Sequence, residues 1–232
     1  MASDARELVS DQVFAGLCED ILSGRYAPEE KLPTQRQLAA DLDVNMASVR
    51  EAVKRLEQLR LVEVRHGDAM RVSDWRAHGG LDVIAHVLFR AGGLDRSTLA
   101  DLMEARRLMW VEVARLAAKR RGDEQADRLT QLAAEIRRAE DARAAQALDF
   151  AFYSELAEAA GNVVFVLVMN SIRQVYFARS DLFDAVVAGH GRLAPLYAGA
   201  ARAIQAKDPG AAARAIEKLA GAQERRVIES LR

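Results

Sequence analysis

Cysteine, proline and aromatic residues are all scarce in this chain of 232 residues, with one cysteine, four prolines and 6% aromatics. The single thiol, Cys18, excludes an internal disulfide and every zinc cluster built on several cysteines, and it suits a reducing cytoplasm. Long hydrophobic runs are missing too. The longest, Val163–Met169, falls far short of the roughly 20 residues that span a bilayer. Asp4, Arg6, Glu7 and Asp11 stand where a secretion signal would need an apolar core, so no membrane partner is expected. There is no excess of charge either, with 33 Lys+Arg against 34 Asp+Glu and a net charge of −1. As a bulk figure that balance argues against a nucleic-acid partner. By region it does not: residues 31–76 hold nine basic and seven acidic side chains, whereas residues 1–30 hold two and seven. A mildly basic segment follows an acidic start, so affinity for DNA would rest on a few well-placed arginines.

The prolines divide the chain. Pro28 and Pro33 come early, Pro195 and Pro209 late, and between Leu81 and Val187 there is none. Through that stretch apolar residues recur at helical spacing and alanine is abundant, which predicts long helices packed closely through small residues. The start of the chain reads differently. A helix is expected over Ser10–Ser23, with Val13, Leu17, Ile21 and Leu22 on one face and Gly24 ending it. Thr34 followed by Gln37 has capping-box spacing, opening a short helix with Leu38, Ala39 and Leu42 inward. Asn45 can cap a third helix to about Leu59, buried through Val49, Val53, Leu56 and Leu59. Leu61–Arg65 then alternates as a strand, His66-Gly67-Asp68 turns, and Ala69–Val72 returns. The expected fold is mainly α. A winged helix-turn-helix over residues 1–73 and a linker over 74–80 lead into an all-α antiparallel helical bundle over 81–232.

Ile21–Tyr26, Lys31-Leu32-Pro33-Thr34-Gln35-Arg36-Gln37-Leu38-Ala39, Val49-Arg50-Glu51-Ala52-Val53, Leu56-Glu57 and His66-Gly67 together resemble the DNA-binding domain of GntR-family transcriptional regulators. The resemblance spans about residues 10–72. It implies that the N-terminal end of the third helix enters the major groove, with Arg36 and Arg50 on the DNA and His66 and Gly67 at the wing tip. Arginine suits that work because its planar fork can grip guanine bidentately. Asn45, Met46, Ser48 and Lys54 complete the expected DNA-binding set, while Asn45 and Ser48 equally suit helix caps. Arg55 and Arg65 would reach phosphate or nothing. Two positions depart from the family pattern: Met46 replaces a usual arginine or serine, and Arg60 a usual glycine.

The remainder, about residues 80–230, resembles the ligand-sensing domain of the FadR subfamily through Glu104-Ala105-Arg106, Asp149-Phe150-Ala151-Phe152-Tyr153 and Ala159-Ala160-Gly161-Asn162. Most of that subfamily uses an aspartate and three histidines to bind a divalent metal that holds a small carboxylate. Here Asp149 matches the aspartate, but Tyr153, Tyr197 and Leu219 stand at the histidine positions. That donor set is unsuited to zinc or nickel, so no metal and no cofactor are expected. The loss of the histidines points to the branch that senses fatty acyl-CoA, although Glu217–Gly221 and Arg225 depart from that branch's last helix.

Read from the residues alone, Asn170, Arg173 and Tyr176 share one face of the helix that begins with the apolar run, which is expected to cross the middle of the bundle. Arg173 would need a partner there. Asp149 could supply it, or a bound carboxylate or phosphate also gripped by Arg106, with hydroxyl donors from Tyr153 and Tyr197. The expected effector set is therefore Arg106, Asp149, Tyr153, Asn170, Arg173, Tyr176 and Tyr197. No phosphate-binding glycine loop and no catalytic Ser/His/Asp or Cys/His set supports an enzyme. The expected partners are a pseudo-palindromic double-stranded operator, a second copy of the chain, and an acyl-CoA or organic-acid effector.

Overall fold

The computed structural model describes residues 2–64, 70–90, 93–178 and 186–230. It forms two compact units, Met1–Asp95 and Arg96–Arg232. The expected linker over 74–80 and the expected start of the bundle at 81 both fall inside the first of these.

In the first unit, α1 (Ala2–Leu22) begins well before the expected Ser10. It buries Val13, Phe14, Leu17, Cys18, Ile21 and Leu22, the paired spacing of one helical face. Helix α2 (Gln35–Asp41) opens with the capping box: Thr34 accepts from the Gln37 N–H while the Gln37 side chain accepts from the Thr34 N–H. Helix α3 (Met46–Gln58) is capped by the Asn45 side chain and buries Val49, Ala52, Val53 and Leu56 against α1. Leu42, expected on the inner face, is instead 48% exposed, because the chain leaves the helix at that residue.

Among the described residues the wing strands are short. Strands β1 (Val62–Glu63) and β2 (Arg71–Val72) pair antiparallel, with Val62 opposite Val72. Residues 29–32 add a third line, since Leu32 N–H donates to Met70 C=O and Val72 N–H to Glu30 C=O. The expected wing tip, His66 and Gly67, lies outside the described residues.

The stretch after the wing is structured. Helix α4 (Trp75–His78) is capped by Asp74, and the Arg76 guanidinium lies 4.3 Å over the Trp75 ring. A 3-10 turn (Leu81–Val83) and α5 (Ile84–Leu88) send Val83 and Val87 into the core of this unit. There the His86 ring meets Phe14 edge-on at 5.3 Å, and Arg55 of α3 covers the same Phe14 ring at 4.1 Å. A short antiparallel pair, β3 (Phe89–Arg90) and β4 (Gly93–Leu94), closes the unit.

The second unit is helical throughout its described residues: α6 (Arg96–Arg120), α7 (Asp123–Arg138), α8 (Ala142–Ala159), α9 (Val163–Ala178), α10 (His190–Gln205) and α11 (Pro209–Glu229). Helix α11 packs along α6 and α10, and α7 along α8 and α10. Alanines 114, 117, 118, 157, 160, 200, 201, 212, 213 and 220 sit in the core and permit that approach. Helix α9 does not cross the middle as expected. Val163, Val164 and Leu167 are 67%, 58% and 57% exposed, so much of its apolar run faces outward, while Met169 and Tyr176 turn inward.

Arg60 occupies the left-handed region at φ 57° in the turn between α3 and β1. This accounts for the glycine usual there, since a Cβ in that conformation costs about 1 kcal/mol or more. Arg60→Gly is expected to stabilise the chain by about 0.5–1 kcal/mol, read as a higher denaturant midpoint. A lower midpoint would show that the arginine side chain outweighs its backbone strain.

Candidate nucleic-acid interface and effector site

Helix α3 presents a continuous exposed edge. Asn45, Arg50 and Lys54 are exposed along it, and Arg36 is exposed near the start of α2. The edge begins where the first amides of α3 are free to face a phosphate, apart from the Ser48 N–H, which donates to Asn45 Oδ1 at 2.9 Å.

Two residues of the expected DNA-binding set lie off that exposed edge. Met46 is half-buried and packs against the core of the first unit. Ser48 is only 4% exposed, and its hydroxyl has no hydrogen-bond partner. The third residue of a helix capped by Asn45 points inward, which sequence spacing alone did not separate from an outward one. Arg55 is also accounted for within the protein: it is paired with Asp11 of α1 and stacked on Phe14.

In the second unit, five of the seven expected effector residues converge. Asp149 of α8 is buried, and its Oδ1 accepts from Tyr197 Oη of α10 at 2.5 Å and Gln223 Nε2 of α11 at 2.8 Å. Its Oδ2 accepts from Tyr176 Oη of α9 at 2.7 Å and stands 3.9 Å from Arg106 Nη2 of α6. Gln223 Oε1 accepts from Tyr153 Oη at 2.9 Å and from Arg106 Nη1 at 3.0 Å, and Gln223 Nε2 also donates to Tyr197 Oη. The Arg106 guanidinium lies 4.3 Å over the Tyr153 ring. Side chains from five helices, two of them from α8, therefore meet at a single amide–carboxylate pair.

Asn170 and Arg173 do not join them. Both are exposed, and Arg173 covers the outer face of Phe150 at 4.8 Å instead of pairing with Asp149. The physical reason is the outward turn of α9, which puts only Tyr176 of that expected trio inside.

Gln223 was missed by reading the sequence. Its signal is a lone amide in the buried stripe Ile216, Leu219, Ala220, Gln223, Val227. Arg106 interrupts an equivalent stripe, Leu99, Met103, Trp110, Val113. Gln146 is a second buried amide, donating to the Tyr176 carbonyl at 3.2 Å.

Burial raises all three tyrosines of this cluster: Tyr153 is pushed up to about 12, with Arg106 opposing the rise, while Asp149 adds to it for Tyr176 and Tyr197. For Arg106, burial works against its charge, but Tyr153 and Asp149 outweigh it and the guanidinium is raised overall. A divalent cation does not fit this arrangement. Around Asp149 stand hydroxyl and amide donors and a guanidinium, and Leu219 offers no ligand atom. Among the described residues no group of three His, Cys, Asp or Glu side chains could hold a metal, and no helix is long and apolar enough to cross a membrane.

Comparison with known proteins covers both units. Residues 9–72 match the model of the bacterial regulatory proteins, gntR family, and residues 101–221 match the FCD domain. The HTH-type transcriptional regulator Mce2R of Mycobacterium tuberculosis is 36% identical over 214 residues, which cover 92% of this chain and 89% of that one. The fatty acid metabolism regulator protein of Edwardsiella ictaluri is 27% identical over 161 residues, 69% of this chain and 66% of its own. The solved structure of Lar from Listeria monocytogenes has a TM-score of 0.58 at 16% identity, covering 95% of this chain and 96% of that one, a likeness of fold.

Ser48→Ala is expected to keep or raise stability, by up to about 1 kcal/mol, because the hydroxyl lacks a partner and alanine favours the helix. DNA affinity should not change; a tenfold loss in a gel shift would show that the hydroxyl reaches DNA.

The tyrosine cluster should make the second unit sensitive to alkali. Its folded state disfavours tyrosinate, so this contribution is complete below the ordinary tyrosine pKa near 10 and is lost as pH rises towards about 12. Tyrosinate absorbance from three of the four tyrosines should appear in step with unfolding. Full ionisation of all four in a still-folded chain would contradict the cluster.

Proposed function

The chain belongs to the GntR family of bacterial regulatory proteins, with an FCD domain in its second unit, and we propose that this DNA-binding transcription regulator works as an effector-released homodimer. Two first units would read the half-sites of a pseudo-palindrome, each placing the exposed N-terminal edge of α3 in a major groove. Arg36 and Arg50 would carry base and phosphate contacts, with Lys54 on phosphate. The observation that supports this reading is the exposure of Arg36, Asn45, Arg50 and Lys54 beside a helix start fixed by the Asn45 cap.

For the second unit, the proposed effector is a fatty acyl-CoA or a related organic carboxylate, received at the cluster of Arg106, Asp149, Tyr153, Tyr176, Tyr197 and Gln223. Likeness to a fatty acid metabolism regulator supports the acyl branch. The closed hydrogen bonding of the cluster favours a second reading, a repressor without an effector. A ligand that binds only the folded state raises the melting temperature, so a panel of acyl-CoAs and organic acids separates the two. Stabilisation by one class supports the effector reading, and none by any supports the second.

Arg50→Ala should weaken binding to a DNA fragment selected by the parent chain at least tenfold, with no change in melting temperature. Unchanged gel-shift affinity would remove Arg50 from the interface.

A further inference from the structure

A metal site gathers lone pairs around a cation. The cluster in the second unit has the opposite polarity: it gathers donors around an anion. Tyr176 and Tyr197 hydroxyls and the Gln223 amide all point their hydrogens at Asp149, and the Arg106 charge stands beside it. A second acceptor beside it, Gln223 Oε1, takes the Tyr153 hydroxyl and an Arg106 N–H, which fixes the orientation of the amide. The carboxylate itself adds no further shape. It is a two-oxygen anion in a four-helix ring of donors, attached to a fifth helix, α8, by one methylene.

We infer that this cluster is a carboxylate-binding site which the chain fills from within, Asp149 being the resident carboxylate, and that a free carboxylate can take its place without any metal ion. The inference deepens the effector reading above and rests on it only for the regulatory consequence. Donors that satisfy a buried carboxylate do not distinguish one carried by α8 from one carried by a ligand. The tether does: an attached group acts at an effective concentration on the order of millimolar or more, so a small free acid does not displace it. A natural effector therefore needs an acyl or other body whose own contacts overcome the tether. Its arrival frees α8 from α9, α10 and α11, whereas a metal-held acid would draw its ligands together.

The experiment is chemical rescue of the full chain, in a chelator throughout. Asp149→Ala removes a group the size of formate and should melt several degrees below the parent. Formate, and acetate less well, should restore the melting temperature with saturation, while chloride at equal ionic strength should not. The parent should not respond to formate, and Arg106→Met combined with Asp149→Ala should lose most of the rescue. If Asp149→Ala does not fold, Asp149→Ser, which keeps one hydroxyl for the tyrosines, is titrated in the same way. No rescue in the folded variant, equal rescue by chloride, rescue unaffected by loss of Arg106, or rescue that needs a divalent ion would each overturn the inference. Failure of every acyl-CoA and organic acid to stabilise the parent overturns the effector reading alone, and leaves formate rescue as a separate result.

Discussion

A buried carboxylate has to be satisfied, and in the second unit that requirement falls on Asp149. An unpaired charge at that depth would cost several kcal/mol, so the surrounding helices must each bring a donor to it. Tyr176, Tyr197, Gln223 and Arg106 do so from four different helices. The bundle's apolar packing could tolerate small slides of one helix on another, since alanine-rich faces have little relief to lock them. The directed bonds to Asp149 cannot. They define the register of α6, α8, α9, α10 and α11 at one level of the bundle, and everything proposed for ligand response depends on whether that level is intact.

The core of the first unit, from α2 to the paired strands, was legible because its signals are local. A capping box, an Asn cap and a change from helical to alternating period each report on a few adjacent positions, and the structure places α2, α3 and the strand pair where those signals fall. What local signals did not give was direction. Ser48 and Met46 turn inward and Leu42 outward, because the way a short helix packs on α1 decides its buried face. The second unit shows the same limit at longer range. Asp149, Tyr153, Tyr176, Tyr197 and Arg106 could be picked out as candidates, yet only tertiary packing brings them to one point. The apolar run of α9 suggested depth, but Val163, Val164 and Leu167 of it are exposed, and Asn170 and Arg173 go outward with them. Gln223 was invisible because glutamine on a helix reads as surface unless its neighbours four residues away are seen to be buried.

Arg60 and Met46, the two departures from the family pattern, have different physical meanings. Arg60 holds a left-handed backbone geometry suited to glycine and carries the strain of its Cβ there. Met46 rests half-buried against the core at the start of the recognition helix, where Arg50 and Lys54 are exposed cations.

Arg55 has a consequence for how the regulator responds to its ionic surroundings. It lies on the recognition helix, but it is paired with Asp11 and its plane covers Phe14, with His86 meeting that ring edge-on. While it is held this way, its guanidinium is turned to α1 and not to a phosphate, and it displaces no counterion from the duplex. Each phosphate contact withdrawn flattens the fall of log affinity with log salt by about 0.9. Recognition by this helix should therefore depend more on fit to base edges than on ion release, and should persist across a wider range of cellular salt than its count of arginines suggests.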